Sequence, residues 1–302
     1  MKIGTRGSEL ATTQTNTVAL RIEQVLGQEL ETLIIQTQGD RVTDRPLREL
    51  EGRGYFTKEI EEALLAGTID LAVHSFKDMP SQAPKGLALA AVSVREDAAD
   101  LLLVRPAAYD PQPTKIPVRF GAVAGTSAVR RESQVRALRP DLITRDLRGN
   151  VPTRVAKLAR GDYDAIFLAS AGVRRLNLDL SAFKVIRLDP TWFVPSPGQG
   201  ALAIQMRADD PRFAEVHLAL NDPATSAATW IERAVQAKFG GGCGLPLGVY
   251  ACSALNAWHV FGFWGAERSA PVWAEVHGDD PEVVADKLFT SLRKGQTCAI
   301  EC

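Results

Sequence analysis

Short apolar runs alternate along this chain with stretches in which apolar side chains recur every three or four residues. These are the patterns of buried strands and of amphipathic helices. Residues 2–4 read as a strand. Thr5-Arg6-Gly7-Ser8 follows, and Leu10, Val18, Ile22 and Val25 then share one face of a helix that runs to about Leu26, with Gly27 as its stop. Residues 33–35 form a second strand. Residues 39–54 are polar, charged and glycine-bearing with no period, which predicts a mobile loop. A helix over 55–66 places Phe56, Ile60, Ala63 and Leu64 on one side. It leads into an apolar run from Leu71 that turns polar at His74-Ser75-Phe76-Lys77-Asp78 and stops at Pro80. Residues 87–94 are apolar again. The order β-α-β-α-β implies a mostly parallel sheet.

Four prolines between 106 and 117 mark a linker or surface excursion, and the same order then begins again. Residues 119–123 read as a strand and Gly125-Thr126-Ser127 as a loop, followed by a helix through Arg130, Val135 and Leu138. A strand over 142–145 exits through Leu147-Arg148-Gly149-Asn150, a helix over 152–160 opens on proline, and a strand over 164–168 leads into 169–176. Two such units predict two similar lobes with a cleft between them, an architectural repeat without a sequence repeat. The apolar stretch 201–204, after Pro195-Ser196-Pro197-Gly198-Gln199-Gly200, reads as a crossing back to the first lobe. A helix over 225–239, loosely alternating strands within 249–273 and an amphipathic helix over 281–293 make a third, smaller piece. The expected organisation is therefore 1–95 with 194–215 as lobe one, 96–193 as lobe two, and 216–302 as a small α+β domain.

At 302 residues, two or three domains are expected. A formal net charge of −1 gives no general pull toward nucleic acid or an anionic membrane. The kind of charge says more: arginine supplies 25 of the 35 basic residues, and its planar fork of donors matches carboxylate or phosphate. The first six residues carry no long apolar core and no run reaches the length of a membrane helix, so neither a secretory signal nor a span is expected. Cys243, Cys252, Cys298 and Cys302 are sparse and lack a framework spacing, which fits a reduced, cytoplasmic setting and no metal site.

Candidate chemistry gathers at strand ends. Thr5-Arg6-Gly7-Ser8, Thr126-Ser127 with Arg130-Arg131, and Arg148-Gly149-Asn150 with Arg154 each set small hydroxyls or amides beside arginine at the start of a helix, where free N–H groups favour an anion. Singly each is an N-cap with a solvated charge; together they describe a cleft for a ligand with several carboxylates or phosphates. No Walker loop and no G-x-G-x-x-G opens a helix after a strand, so a nucleotide is not indicated. Asp78 reads either as a turn cap beside Pro80 or as a lone working carboxylate among cations. Cys243, with four neighbouring glycines, reads either as a small residue in a tight turn or as a thiol open to covalent work. His74, His217, His259 and His277 fall in no telling pattern.

These pieces, with Phe56-Thr57-Lys58-Glu59, Val73-His74-Ser75-Phe76-Lys77-Asp78-Met79-Pro80, Gly198-Gln199-Gly200 and Glu232-Arg233 through Gly242-Cys243, resemble the porphobilinogen deaminase (hydroxymethylbilane synthase) family in order and spacing over nearly the whole chain. The resemblance implies an α/β fold of two periplasmic-binding-protein-like lobes, with mixed, mostly parallel sheets, plus a small C-terminal α+β domain. It implies a dipyrromethane cofactor joined by a thioether to Cys243, onto which four porphobilinogens condense with loss of ammonia, and release of hydroxymethylbilane by hydrolysis. It assigns Asp78 to the pyrrole N–H groups and to the azafulvenium cation that forms as ammonia leaves. Ser75, Lys77, Thr126, Ser127, Arg130, Arg131, Arg148 and Gly172 are then expected at the cofactor, and Arg6, Ser8, Arg53, Lys58, Arg148, Arg154, Arg175 and Gln199 at the substrate. A monomer is expected. Arg53 stands where lysine is common, Leu245 replaces a β-branched residue, and the cues fade after Trp258. Two other classes share these features: a non-catalytic binding protein of the same fold, and a thiol hydrolase using Cys243.

Overall fold

The computed structural model describes residues 1–41, 55–113, 115–242, 244–255, 257–265 and 270–294. The expectations placed on Arg53 and Cys243, and on most of the loop 39–54, lie outside these residues.

The chain begins with β1 (Lys2–Thr5), α1 (Glu9–Leu26), β2 (Glu31–Ile34), α2 (Gln38–Arg41), α3 (Lys58–Leu65), β3 (Leu71–Ser75) and β4 (Leu87–Val92). It continues through β5 (Asp100–Val104), β6 (Val123–Gly125), α4 (Val129–Leu138), β7 (Ile143–Arg145), α5 (Val151–Arg160), β8 (Ala165–Ala169), α6 (Ser170–Arg175) and β9 (Lys184–Leu188). The last part holds β10 (Leu202–Arg207), α7 (Phe213–Leu220), α8 (Pro223–Lys238), β11 (Leu247–Ala254), β12 (Ala257–Trp264), β13 (Val272–Gly278) and α9 (Pro281–Lys294). Local chemistry accounts for the best-defined ends. Ser8 caps α1 by accepting from the Ala11 N–H, and Gly27 closes it in the left-handed region. Asn150 caps α5 by accepting from Thr153, Pro152 sits in its first turn, and left-handed Gly161 ends it.

Several expectations shift. The strand expected at 119–123 begins only at Val123, because Gly121 turns the chain at positive φ just before it. The helix expected from residue 55 begins at Lys58, and Gln38–Arg41, expected within or beside a loop, form α2. The pattern did not reveal β5, β9 or α7.

The two larger sheets have one plan. The first runs β2-β1-β3-β10-β4 and the second β7-β6-β8-β5-β9. In each, the first three strands are parallel, and the fourth lies antiparallel to both its neighbours. The fourth strands are exchanged between lobes: β5 follows β4 into the second sheet, and β10 follows β9 back into the first. The chain therefore crosses the gap twice, through 93–99 and 189–201, and β10 is the return crossing expected near 201–204. The third sheet is the antiparallel meander β11-β12-β13, backed by α8 and α9 over Ile231, Val235, Val249, Val260, Leu288 and Leu292. α7 straddles the boundary expected at 215/216 and packs Val216 into the first sheet's core with Val18 and Ile22 of α1. Among the described residues no helix is long and apolar enough to cross a membrane.

One carboxylate ties the crossings together. Glu232 of α8 is fully buried. It takes a bidentate pair from Arg95 at 2.7 and 3.1 Å, and the N–H groups of Gly198 at 2.7 Å and Ala251 at 2.9 Å. Outward crossing, return crossing and third-domain sheet thus meet at one side chain. Replacing it strands a guanidinium and two amides, so Glu232→Ala should lower unfolding free energy by about 3–5 kcal/mol. Urea denaturation reads this, and a loss below about 1 kcal/mol would remove the residue's role as a pin.

Candidate active site

A cavity of about 740 Å³ lies between the lobes. That is within the range of roughly 300–1,000 Å³ usual for small-molecule sites. The chain reaches it from the carboxyl ends of β1, β3, β7 and β8, where open α/β sheets present their ligand sites. Its lining includes six cations, Arg6, Lys77, Arg131, Arg148, Arg154 and Arg175, against two acids, Glu9 and Asp78.

Asp78 closes a single tight turn, Phe76–Asp78, directly after β3. The buried Phe76 ring anchors that turn, and its N–H reaches the Ala201 carbonyl of the return crossing at 3.1 Å. Arg233 of α8 lies over the ring at 4.5 Å and donates to the carbonyls of Phe76, Met79 and Pro80. Gly198 presses on the same turn at positive φ, where an added Cβ would come 3.3 Å from the Lys77 nitrogen and from Phe76. The turn is clamped from outside while Asp78 faces the cavity. Just before it, Ser75 pairs with the amide of Gln14 at 3.0 Å, and Arg6 lies 4.1 Å over the Phe56 ring.

The opposite wall comes from the second lobe. Gly149 adopts positive φ ahead of α5, Arg154 donates through Nε to its carbonyl at 2.7 Å, and Lys157 donates to that of Arg148 at 3.0 Å. Arg175 grips the Gly200 carbonyl at 2.6 Å.

Beneath both walls sits Asp100, fully buried at the start of β5. It accepts from Arg131 at 2.7 Å, Arg130 at 2.8 Å and the Gln199 amide at 2.8 Å, and Gln199 in turn accepts from Lys77 at 3.3 Å. Burial alone would raise the Asp100 pKa, but the two guanidinium groups outweigh it and hold the carboxyl far below its usual range. Burial pushes Lys77 down to about 8, with Asp78 pulling the other way and Arg131 adding to the fall. Burial, with Arg131 and Arg148 beside it, brings Arg154 down to about 10, still cationic at neutral pH.

The cavity therefore gathers Arg6, Ser8, Ser75, Lys77, Asp78, Arg131, Arg148, Arg154, Gly172, Arg175 and Gln199. Thr126, Ser127, Arg130 and Lys58 are not in its lining, and each has other work. Ser127 is bonded to both backbone groups of Leu147 and so steadies the Arg148 loop; Thr126 accepts from the Ala128 N–H. Arg130 turns inward to Asp100 and the Val194 carbonyl, and Lys58 lies 4.0 Å from Glu62 on the surface. Among the described residues no histidine lines the cavity. His74 bonds Gln205 and is kept neutral, burial lowering its pKa to about 4. Gly241, two residues before Cys243, abuts Ser81, three after Asp78; an added Cβ would lie 2.3 Å from the serine oxygen. Sequence reasoning missed Asp100 and Gln14, and gave Glu232, which lies in one of the matching segments, no role. The acid opening the run Leu101-Leu102-Leu103-Val104 was the only local signal for Asp100.

The residues present suit a multiply charged anionic group. Besides the excess of cations, Arg131 Nε is buried with no hydrogen-bond partner among the described residues. An uncommitted buried guanidinium donor is costly unless something else satisfies it.

Fold and site thus define a two-lobed α/β protein whose cleft is lined for a multiply charged anion, with a third domain braced against the carboxylate turn. The family model described as porphobilinogen deaminase, dipyrromethane cofactor binding domain, matches residues 1–215. The porphobilinogen deaminase of Streptococcus sanguinis (strain SK36) is 38% identical over 295 residues, spanning 97% of this chain and 95% of its own. The probable porphobilinogen deaminase of Methanocella arvoryzae is 47% identical over 251 residues, spanning 83% and 80%. Among solved structures, a periplasmic substrate-binding protein of an ABC transporter from Coxiella burnetii aligns at a TM-score of 0.44 and 15% identity, over 75% of this chain and 94% of that one. The chain belongs to the porphobilinogen deaminase family, and the matched domain is one that binds a dipyrromethane cofactor.

Lys77 gives the cleft a pH dependence of known sign. It is cationic below about 8 and loses its charge above, so affinity for a polyanion should be highest below that value and fall as pH rises through it. Calorimetric titration with citrate should weaken by about tenfold between pH 7 and pH 9. Lys77→Arg should flatten the profile, and an equal fall in that variant would place the titrating group elsewhere.

Proposed function

We propose that this chain is a porphobilinogen deaminase in the full sense, a transferase that condenses four porphobilinogens in sequence onto a dipyrromethane held by a thioether at Cys243. Four ammonia molecules are lost, and hydrolysis releases hydroxymethylbilane for tetrapyrrole synthesis. The observation that carries this reading is one cavity holding a single turn-borne carboxylate, Asp78, against six cations, with Gly241, two residues before Cys243, packed against Ser81, three after Asp78. The family resemblance carries a monomer with it, and four sparse cysteines without a framework spacing fit the cytoplasm.

The roles follow from charge. Each porphobilinogen brings an acetate and a propionate. Arg131 through its uncommitted Nε, with Arg148, Arg154 and Arg175 on the second lobe and Arg6 on the first, presents guanidinium donors to these carboxylates. Asp78 accepts from a pyrrole N–H and lowers the energy of the cation that develops on the substrate as its amine departs, protonated, as ammonia. An amide of the same shape would keep the hydrogen bond and lose the charge. Lys77, joined through Gln199 to Asp100, sits beside Asp78 as a donor that stays cationic at neutral pH. When bound, the dipyrromethane supplies the nucleophilic pyrrole carbon to which the first substrate ring is joined. The cavity offers no histidine to serve as base for a thiol, which disfavours a cysteine hydrolase.

Two experiments test the reading. Asp78→Asn should keep its circular dichroism spectrum and lose at least about 100-fold in turnover of porphobilinogen; near-normal turnover would refute the role. Intact-protein mass spectrometry of the purified wild type should show the polypeptide plus two linked pyrroles, and Cys243→Ser the polypeptide alone. Wild-type protein at its bare polypeptide mass, and inert toward porphobilinogen, would overturn the assignment.

A further inference from the structure

The outer face of the third-domain sheet carries a cluster that the proposed reaction does not use. β12 and β13 pair with His259 directly opposite His277, and directly opposed residues share a face. That face is turned from α8 and α9: Val260, Val272 and Ala274, on the other side, are in the domain core, whereas His259, Glu275 and His277 stay accessible. The two Nδ1 atoms lie 3.0 Å apart, with the rings edge to face at 4.5 Å between centroids. Glu275 places Oε1 3.3 Å from His277 Nε2. One donor atom from each of the three lies within 4.8 Å of the others.

The carboxylate decides how the pair is set. Its Oε1 lies beside His277 Nε2 and favours the proton on that nitrogen, which leaves the Nδ1 lone pair of the ring toward Nδ1 of His259. Two imidazole nitrogens so placed are satisfied by one shared proton or by one metal ion. In tetrahedral zinc, with Zn–N near 2.0–2.1 Å, two nitrogen ligands stand about 3.3 Å apart, so the rings need part only by a few tenths of an ångström. A carboxylate on the far nitrogen of a ligating histidine is the usual outer partner, fixing the ring and raising its basicity. Imidazole donors favour zinc, nickel and copper over magnesium and calcium. We infer that His259 and His277 form a divalent transition-metal site of the zinc type, with Glu275 orienting His277 and water completing the coordination. None of the three lines the cavity. Occupancy would clamp β12 to β13 and leave the cleft's chemistry untouched.

The test uses the purified holoenzyme, stripped with a chelator, desalted and titrated with zinc chloride against a chromophoric competitor. One zinc per chain is expected, with affinity lowered about tenfold or more in Glu275→Gln and in His277→Ala, and unchanged in Cys252→Ser. Histidine side-chain nitrogen NMR should show both Nδ1 resonances move on adding zinc while the His277 Nε2 proton is retained. Porphobilinogen turnover should be unaltered in the His277→Ala variant, which shows that it is folded. The site is overturned if the wild type binds no zinc in the micromolar range, or if a His259→Ala/His277→Ala double variant binds it as tightly.

Discussion

Charge repulsion is the constraint that the rest of this architecture answers. Two unit charges about 4 Å apart repel by about 4 kcal/mol at an effective dielectric constant near 20, and six cations surround one cavity. Asp100 makes the arrangement tenable. It is a fully buried carboxylate at the root of the cleft, which binds Arg130 and Arg131 together and reaches Lys77 through Gln199. Charge deep in the cleft is thereby partly balanced, and Arg6, Arg148, Arg154 and Arg175 complete the cationic lining. Neither the acid nor the paired bases would be tolerable alone at that depth.

The carboxylate turn and the cationic wall come from different lobes, and the third domain fixes their joint. Arg233 grips the carbonyls around Asp78, and one position earlier on α8, Glu232 ties both crossings to β11. Neighbouring positions on one helix therefore set the height of the carboxylate turn and the anchorage of the chain that links the lobes. The placement of Asp78 depends on a helix that contributes nothing to the cavity wall.

What the sequence revealed follows how local each signal was. α1 and α5 were legible because their caps, Ser8 with Gly27 and Asn150 with Gly161, are written beside the helices they bound. Asp78 was legible because a buried strand that turns polar and meets proline announces a loop at a sheet's carboxyl edge. β5 was passed over although its apolar run has the same form as that of β3, whereas β9 and α7 each bury a single residue and so show little pattern. Arg130 and Arg131 were assigned alike because adjacency cannot say which faces the cavity. On a helix, consecutive residues point about 100° apart, and the first was drawn inward by Asp100, thirty positions away. Burial of a charge is a tertiary fact, and only the folded chain displays it.

The exchange of fourth strands also dictates an order of assembly. β3 and β4 end early, yet the strand that pairs with both is β10, which follows the entire second lobe. A chain emerging from the ribosome must carry two open strand edges until that lobe has been made, and such edges invite association with other chains. The second sheet waits for nothing downstream of β9. The lobe that comes later in the sequence is thus the first able to complete its sheet, and a ribosome that stalls within it would leave the amino-terminal half as the aggregation-prone one.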